Sequence, residues 1–232
     1  MIMTIATLVK NSSAAWEGWN NLGFETRIDI LRRWTEQLPA EGRAMVEYQC
    51  RNAEEHVAKT ELMPGPTGET NELYCAGRGV FVVTADNDAP LVAVLGQLAT
   101  ALLTGNTVLA CFPAGFALSA KEVVTQLEHC GCVGGVITAI DSDQLSELVS
   151  HPAVAGVVYA GSPSTTMVLA RQLAARDGQL AQLISESDYA QLPVIGSPTY
   201  SLRFVTERTR TINITAVGGN ATLLELGSGE EH

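Results

Sequence analysis

Three groups of residues have types and spacings that could do chemistry. His129 precedes Cys130-Gly131-Cys132, placing an imidazole beside two thiols. Both are zinc ligands, but a structural zinc is closed by further ligands, and no second cluster follows. These residues read instead as free cysteines packed near a helix end, where cysteine behaves as a small hydrophobe. Gly161-Ser162 lies between an apolar run and a helical run. Backbone N–H groups at such a strand-to-helix turn suit a phosphate, although Pro163 removes one donor. Glu186 ends a short apolar run, where a lone carboxylate is expected to be solvated rather than to serve as a general base.

Composition narrows the class. The chain has 232 residues, 46% hydrophobic and 17% charged, which describes a globular domain with a sizeable core. A net charge of −11 argues against a nucleic-acid surface, which needs clustered Lys and Arg. The longest apolar run, Ala89 to Thr104, carries Gln97 and Thr100 and suits a buried helix rather than a membrane span. The first residues, MIMTIATLVKNSS, lack the basic start of a signal peptide. Five cysteines without a paired framework point to a reducing cytoplasm.

Residues 11–60 read as helices. Trp16, Trp19 and Leu22, then Ile28, Leu31, Trp34 and Leu38, fall at helical spacing. Residues 64–78, with Pro64-Gly65-Pro66-Thr67-Gly68, read as a surface connection. From Gly79 strands and helices alternate. Strands are expected at 79–84, 107–111, 134–139, 154–160 and 181–186, with helices at 89–104, 117–130, 141–150 and 164–176. Continuous apolar strands such as Val154–Ala160 are buried on both faces, as in a parallel sheet. The fold class is therefore α/β, a doubly wound Rossmann-like sheet with N-terminal helices. Leu202-Arg203-Phe204-Val205 and Thr211-Ile212-Asn213-Ile214-Thr215 read as two strands of a projecting C-terminal hairpin. The expected divisions are a helical segment 1–63, a βαβ domain 64–199, and a hairpin and tail 200–232.

From Gly77 to Pro113 the chain contains Arg78-Gly79-Val80, then Asn87-Asp88-Ala89-Pro90-Leu91, Gly105-Asn106-Thr107-Val108 and Cys111-Phe112-Pro113. This stretch resembles the start of the nucleotide-binding domain of aldehyde dehydrogenases, which reads RGV, WNFPL, GN-x-V and a strand ending in KPA. Tyr159-Ala160-Gly161-Ser162 resembles the family's FTGS. Arg27, Leu31 and Arg32 keep the shape of its R-x-x-x-L-R-x-x-A entry helix. Gly65-Pro66-Thr67-Gly68-Glu69 with Asn71 and Leu73 resembles a PGPTGE-x-N-x-L segment of the bifunctional proline utilization A proteins. Residues 210–224, through Gly218-Gly219-Asn220-Ala221, resemble their T-x-N-T-x-A-x-GGNASL ending. The resemblance implies the C-terminal, non-catalytic aldehyde-dehydrogenase-like domain of such a protein.

The departures from the family are chemical. The GQ-x-C nucleophile segment and the ELGGK glutamate are absent. The oxyanion-stabilising Asn of WNFPL falls on Asp88, a carboxylate that would repel the developing charge. The cofactor lysine position is given to Cys111. No catalytic residue and no bound cofactor are therefore expected, and NAD only if Gly161 and Ser162 keep residual binding. The implied role is an interaction or lid element supporting a pyrroline-5-carboxylate dehydrogenase site or an oligomer. Its partner would be the catalytic domains of the parent enzyme or a second copy. The contact residues would be Leu202, Phe204, Ile212, Ile214, Gly218, Gly219 and Asn220. Deleting residues 200–232 would then leave the fold intact. Two alternatives stand: an NAD-dependent dehydrogenase fragment with residual nucleotide binding, and a small-ligand module using the crevice at the strand ends.

Overall fold

The computed structural model describes residues 3–213. Three helices open the chain: α1 (Ile5–Asn21), α2 (Phe24–Thr35) and α3 (Ala40–His56). They are followed by β1 (Glu61–Met63), β2 (Glu69–Gly77), β3 (Val80–Ala85), α4 (Leu91–Leu103), β4 (Thr107–Cys111), α5 (Ala120–His129) and β5 (Ile137–Ala139). Then come a 3-10 turn at Ser142–Gln144, α6 (Leu145–Ser150), β6 (Val154–Ala160), α7 (Pro163–Ala174) and β7 (Gln182–Glu186). A second 3-10 turn, Tyr200–Phe204, leads into β8 (Val205–Asn213).

Five strands form one sheet in the order β5-β4-β3-β6-β7, all parallel. Side chains alternate across it. Phe81 and Val83 of β3 join a core with Leu31, Trp34, Leu98, Leu102 and Val108 on one face. Val80 and Val82 join Ile5, Leu8, Leu148, Val157 and Leu169 on the other. This is the period of two expected of a strand buried on both sides. Helix α4 is buried almost all round because nearly every side chain in Leu91–Leu103 is apolar. Ser119 and Ser162 cap α5 and α7, each accepting a backbone N–H three residues on.

The GN-x-V residues act structurally. Gly105 adopts φ of +85°, a conformation glycine takes without strain. The buried Asn106 accepts the Gly79 N–H through Oδ1 at 3.0 Å. Its Nδ2 donates to the carbonyls of Ala101 and Phe204 and to Thr104 Oγ1. One amide thus ties the end of α4 to the entry of β3 and to the turn at 200–204.

The described chain divides into two compact units. The first contains residues to 58 together with 76–206, the second 59–75 with 207–213. In the first, α2 and α3 pack into the core on one face of the sheet and the start of α1 into the core on the other. In the second, β1 and β2 form an antiparallel hairpin with Glu61 opposite Leu73, and β8 lies beside β2. Arg210 is bonded to Glu72 and lies over the Tyr74 ring, and Thr211 Oγ1 donates to Asn71.

The structure corrects three expectations. The 64–78 connection is largely strand: its polar residues gave no apolar alternation, yet β2 is paired to neighbours on both sides. The antiparallel hairpin is β1–β2, and 205–213 is one continuous strand rather than the end of one strand, a polar link and the start of another. Finally, Phe204 is not an interaction residue. It is fully buried, as are Tyr200 and Ser201, and its ring packs 5.3 Å from Phe81 and 5.1 Å from Tyr200. Deleting residues 200–232 would therefore remove core aromatics and unfold the first unit. Leu202 and Ile212 are exposed. Ile214, Gly218, Gly219 and Asn220 lie outside the described residues.

Candidate functional site

In an open parallel sheet the ligand crevice lies at the carboxyl ends of the strands, where the strand order reverses. Here that point lies between β3 and β6, and their ends carry Asp86 and Gly161-Ser162. The turn is closed by the chain itself. The Asp86 N–H donates to the Ala160 carbonyl at 2.8 Å, and the Gly161 N–H to the Glu186 carbonyl at 3.0 Å. The Ser162 N–H donates to Asp86 Oδ2 at 3.0 Å. Ser162 Oγ accepts the Thr165 N–H at 3.3 Å.

The Asp86 carboxylate therefore holds one of the donors a phosphate would use, beside the N-terminus of α7, where helix geometry favours an anion. A second anion brought within about 4 Å would meet repulsion on the order of 4 kcal/mol near the surface. The space beside it is also filled. A Cβ on Gly161 would lie 1.9 Å from the Tyr159 hydroxyl, so the glycine makes room for a tyrosine rather than for a ligand. The remaining cleft, about 200 Å³, is lined by Asp86, Asp88, Gly161, Ser162, Ser187 and Tyr189. Burial, with Asp88 and Asp86 nearby, pushes the Tyr189 phenol up to about 12. Asp86 was not singled out from the sequence; its signal was an acidic residue directly following an apolar strand.

Cys111, placed in the cofactor-lysine position, is the last residue of β4 and is buried, with its thiol directed at the Asp141 carbonyl at 3.6 Å. The residue directly before Pro113 is Phe112, whose ring is tilted against that of Phe116 with centroids 5.5 Å apart. Glu186, expected to be solvated, is 1% exposed. Its Oε2 accepts the N–H groups of Val194 at 2.8 Å and Ile195 at 3.1 Å, and its Oε1 accepts that of Asp188 at 3.3 Å. The carboxylate anchors the loop after β7 through these three backbone amides.

No cysteine sits in an activating environment. Burial comes first among the causes that raise all five thiols, to about 12 for Cys50, Cys111 and Cys132. A nucleophile needs the reverse, a depressed thiol that ionises near neutral pH. Since the folded values lie above 9.0, the three most shifted cysteines stabilise the fold fully below about pH 9. That contribution is lost as pH rises toward about 12. Urea midpoints should accordingly fall between about pH 8 and pH 10.5, and Cys→Ala changes at Cys50, Cys111 and Cys132 together should flatten the fall. An unchanged midpoint would refute the assignment.

A parallel sheet of this order with a crevice at its switch point defines a doubly wound domain of the dinucleotide-binding type. The chain belongs to the aldehyde dehydrogenase family, whose sequence model matches residues 41–187. It is 29% identical to the bifunctional protein PutA of Escherichia coli (strain K12) over 202 residues, 86% of this chain and 14% of that protein. It is 28% identical over 181 residues to the 1-pyrroline-5-carboxylate dehydrogenase of Anoxybacillus flavithermus, covering 66% of this chain and 35% of that enzyme. A crystal structure of Bradyrhizobium japonicum proline utilization A superposes with a TM-score of 0.73 at 28% identity, over 79% of this chain and 22% of that one. The chain thus spans between 14% and 35% of the length of these relatives. A benzaldehyde dehydrogenase from Corynebacterium glutamicum shares the fold, with a TM-score of 0.62 at 19% identity, over 78% of this chain and 46% of that one. Among the described residues no helix is long and apolar enough to cross a membrane.

Proposed function

We propose that this chain is a non-catalytic aldehyde-dehydrogenase-family domain that works by contact, covering or bracing a dehydrogenase domain of the proline-utilization type. The observation that carries this reading is the Asp86 carboxylate on the Ser162 N–H, which closes the phosphate turn with the protein's own negative charge. The raised thiols and the engaged Glu186 support it, because they leave the described chain without an activated nucleophile or base. In the second compact unit β8 is exposed along most of its length, and strand edges of this kind pair with other chains. The contact residues in this reading are Leu202 and Ile212, with Ile214, Gly218, Gly219 and Asn220 beyond the described residues. The partner is a dehydrogenase domain or a second copy.

The test is NAD reduction by the isolated chain with pyrroline-5-carboxylate and with simple aldehydes. No turnover is expected. Turnover abolished by one particular Cys→Ser replacement would overturn the reading in favour of a dehydrogenase fragment.

A further inference from the structure

A second cleft, about 280 Å³, opens at the carboxyl ends of β4 and β5, away from the closed turn. Its lining combines aromatic rings, a lysine and two carboxylates. Phe112 and Phe116 are mostly buried and form a tilted ring pair, fixed by the Phe116 N–H bonded to the Pro113 carbonyl. Lys121 borders the cleft from the first turn of α5. Asp141 and Asp143 border it from the β5–α6 connection. The Asp141 backbone is held in place, since its carbonyl accepts from the Cys111 thiol and from the Gln144 N–H.

The opposite charges do not neutralise one another: among the described residues no ion pair joins Lys121 to Asp141 or Asp143. A cation and two carboxylates around one aromatic-lined cavity, each left available, match a small ligand bearing both charges. We propose that this cleft binds a free amino acid with an apolar side chain. Its carboxylate lies toward Lys121 at the N-terminal end of α5, where the Glu122 N–H is already held by Ser119 Oγ. Its ammonium group lies toward Asp141 and Asp143, and its side chain on the Phe112–Phe116 pair. Each charged contact holds a separate charge of the ligand, so blocking either end of the molecule removes one of them. This site is independent of the closed turn and does not depend on the absence of catalysis.

The test is calorimetric titration of the whole chain with L-leucine, L-valine and L-phenylalanine, followed by N-acetyl-L-leucine and L-leucinamide. Saturable binding of at least one free amino acid is expected, weakened at least about tenfold by either blocked end and by Lys121→Met or Asp141→Asn. Both residues are exposed, so the variants should fold; circular dichroism and unchanged melting without ligand confirm it. No saturable heat with any of the three amino acids would overturn the proposal. So would binding that the blocked ligands retain in full, or that both folded variants retain in full.

Discussion

Replacing Glu186 with alanine is expected to destabilise the protein by about 3–5 kcal/mol, the largest effect of any single carboxylate among the described residues. The side chain is buried and accepts three backbone N–H groups from the loop after β7. Hydrogen bonds to a charged acceptor contribute about 1.5–3 kcal/mol each, and a buried donor left unpaired loses its hydration as well. Glu186→Gln keeps the volume but replaces one accepting oxygen with an N–H₂ donor, so it should cost about half as much. Urea unfolding measures both. Hydrogen exchange should show the Val194 and Ile195 amides losing protection before the sheet does. A loss below about 1 kcal/mol for the alanine variant would mean that the carboxylate is not the anchor.

Arg27→Met should come next, with a net loss of about 3 kcal/mol and a fall in melting temperature of roughly 10 °C. Arg27 is buried, and no carboxylate pairs with it among the described residues. Its Nε donates to the Leu103 carbonyl at 2.9 Å. One terminal nitrogen donates to the carbonyls of Trp19 at 3.3 Å and Asn20 at 2.7 Å. These are last-turn carbonyls of α1 and α4, where the helix dipole favours a cation. Burial works in the other direction and lowers the guanidinium to about 10, which offsets part of the gain. Arg27→Lys keeps the charge but lacks the planar fork that reaches two helix ends, so it should recover less than half of the loss. Equal stability of the arginine, lysine and methionine proteins in calorimetry would contradict this role.

The parts of the fold visible in the sequence were those with strong local signals. Val154–Ala160 is apolar throughout and could only be a strand buried on both faces, and Ser162-Pro163 marks a helix start. Strand β2 was hidden because Glu69-Thr70-Asn71-Glu72 is polar and follows a Pro- and Gly-rich stretch; its pairing comes from neighbours rather than from its own pattern. Tyr200 and Phe204 are apolar residues four apart, a spacing that a strand segment and a tight turn both allow, and core packing decided for the turn.

In the candidate site, Gly161 and Ser162 were legible because the turn is local. The contact that closes it was not, because Asp86 and Ser162 lie 76 positions apart and meet only through the parallel crossover. The same holds for Glu186, whose amide donors come from a loop with no periodicity to read.

The most direct test of the central claim is calorimetric titration of NAD into the intact chain and into Asp86→Asn. With the Ser162 N–H held by a carboxylate, the wild-type chain should give no saturable heat up to about millimolar NAD. The variant removes the charge that repels phosphate, and any binding should appear there first. A dissociation constant in about the low micromolar range for the wild-type chain would contradict the account and restore a working nucleotide site.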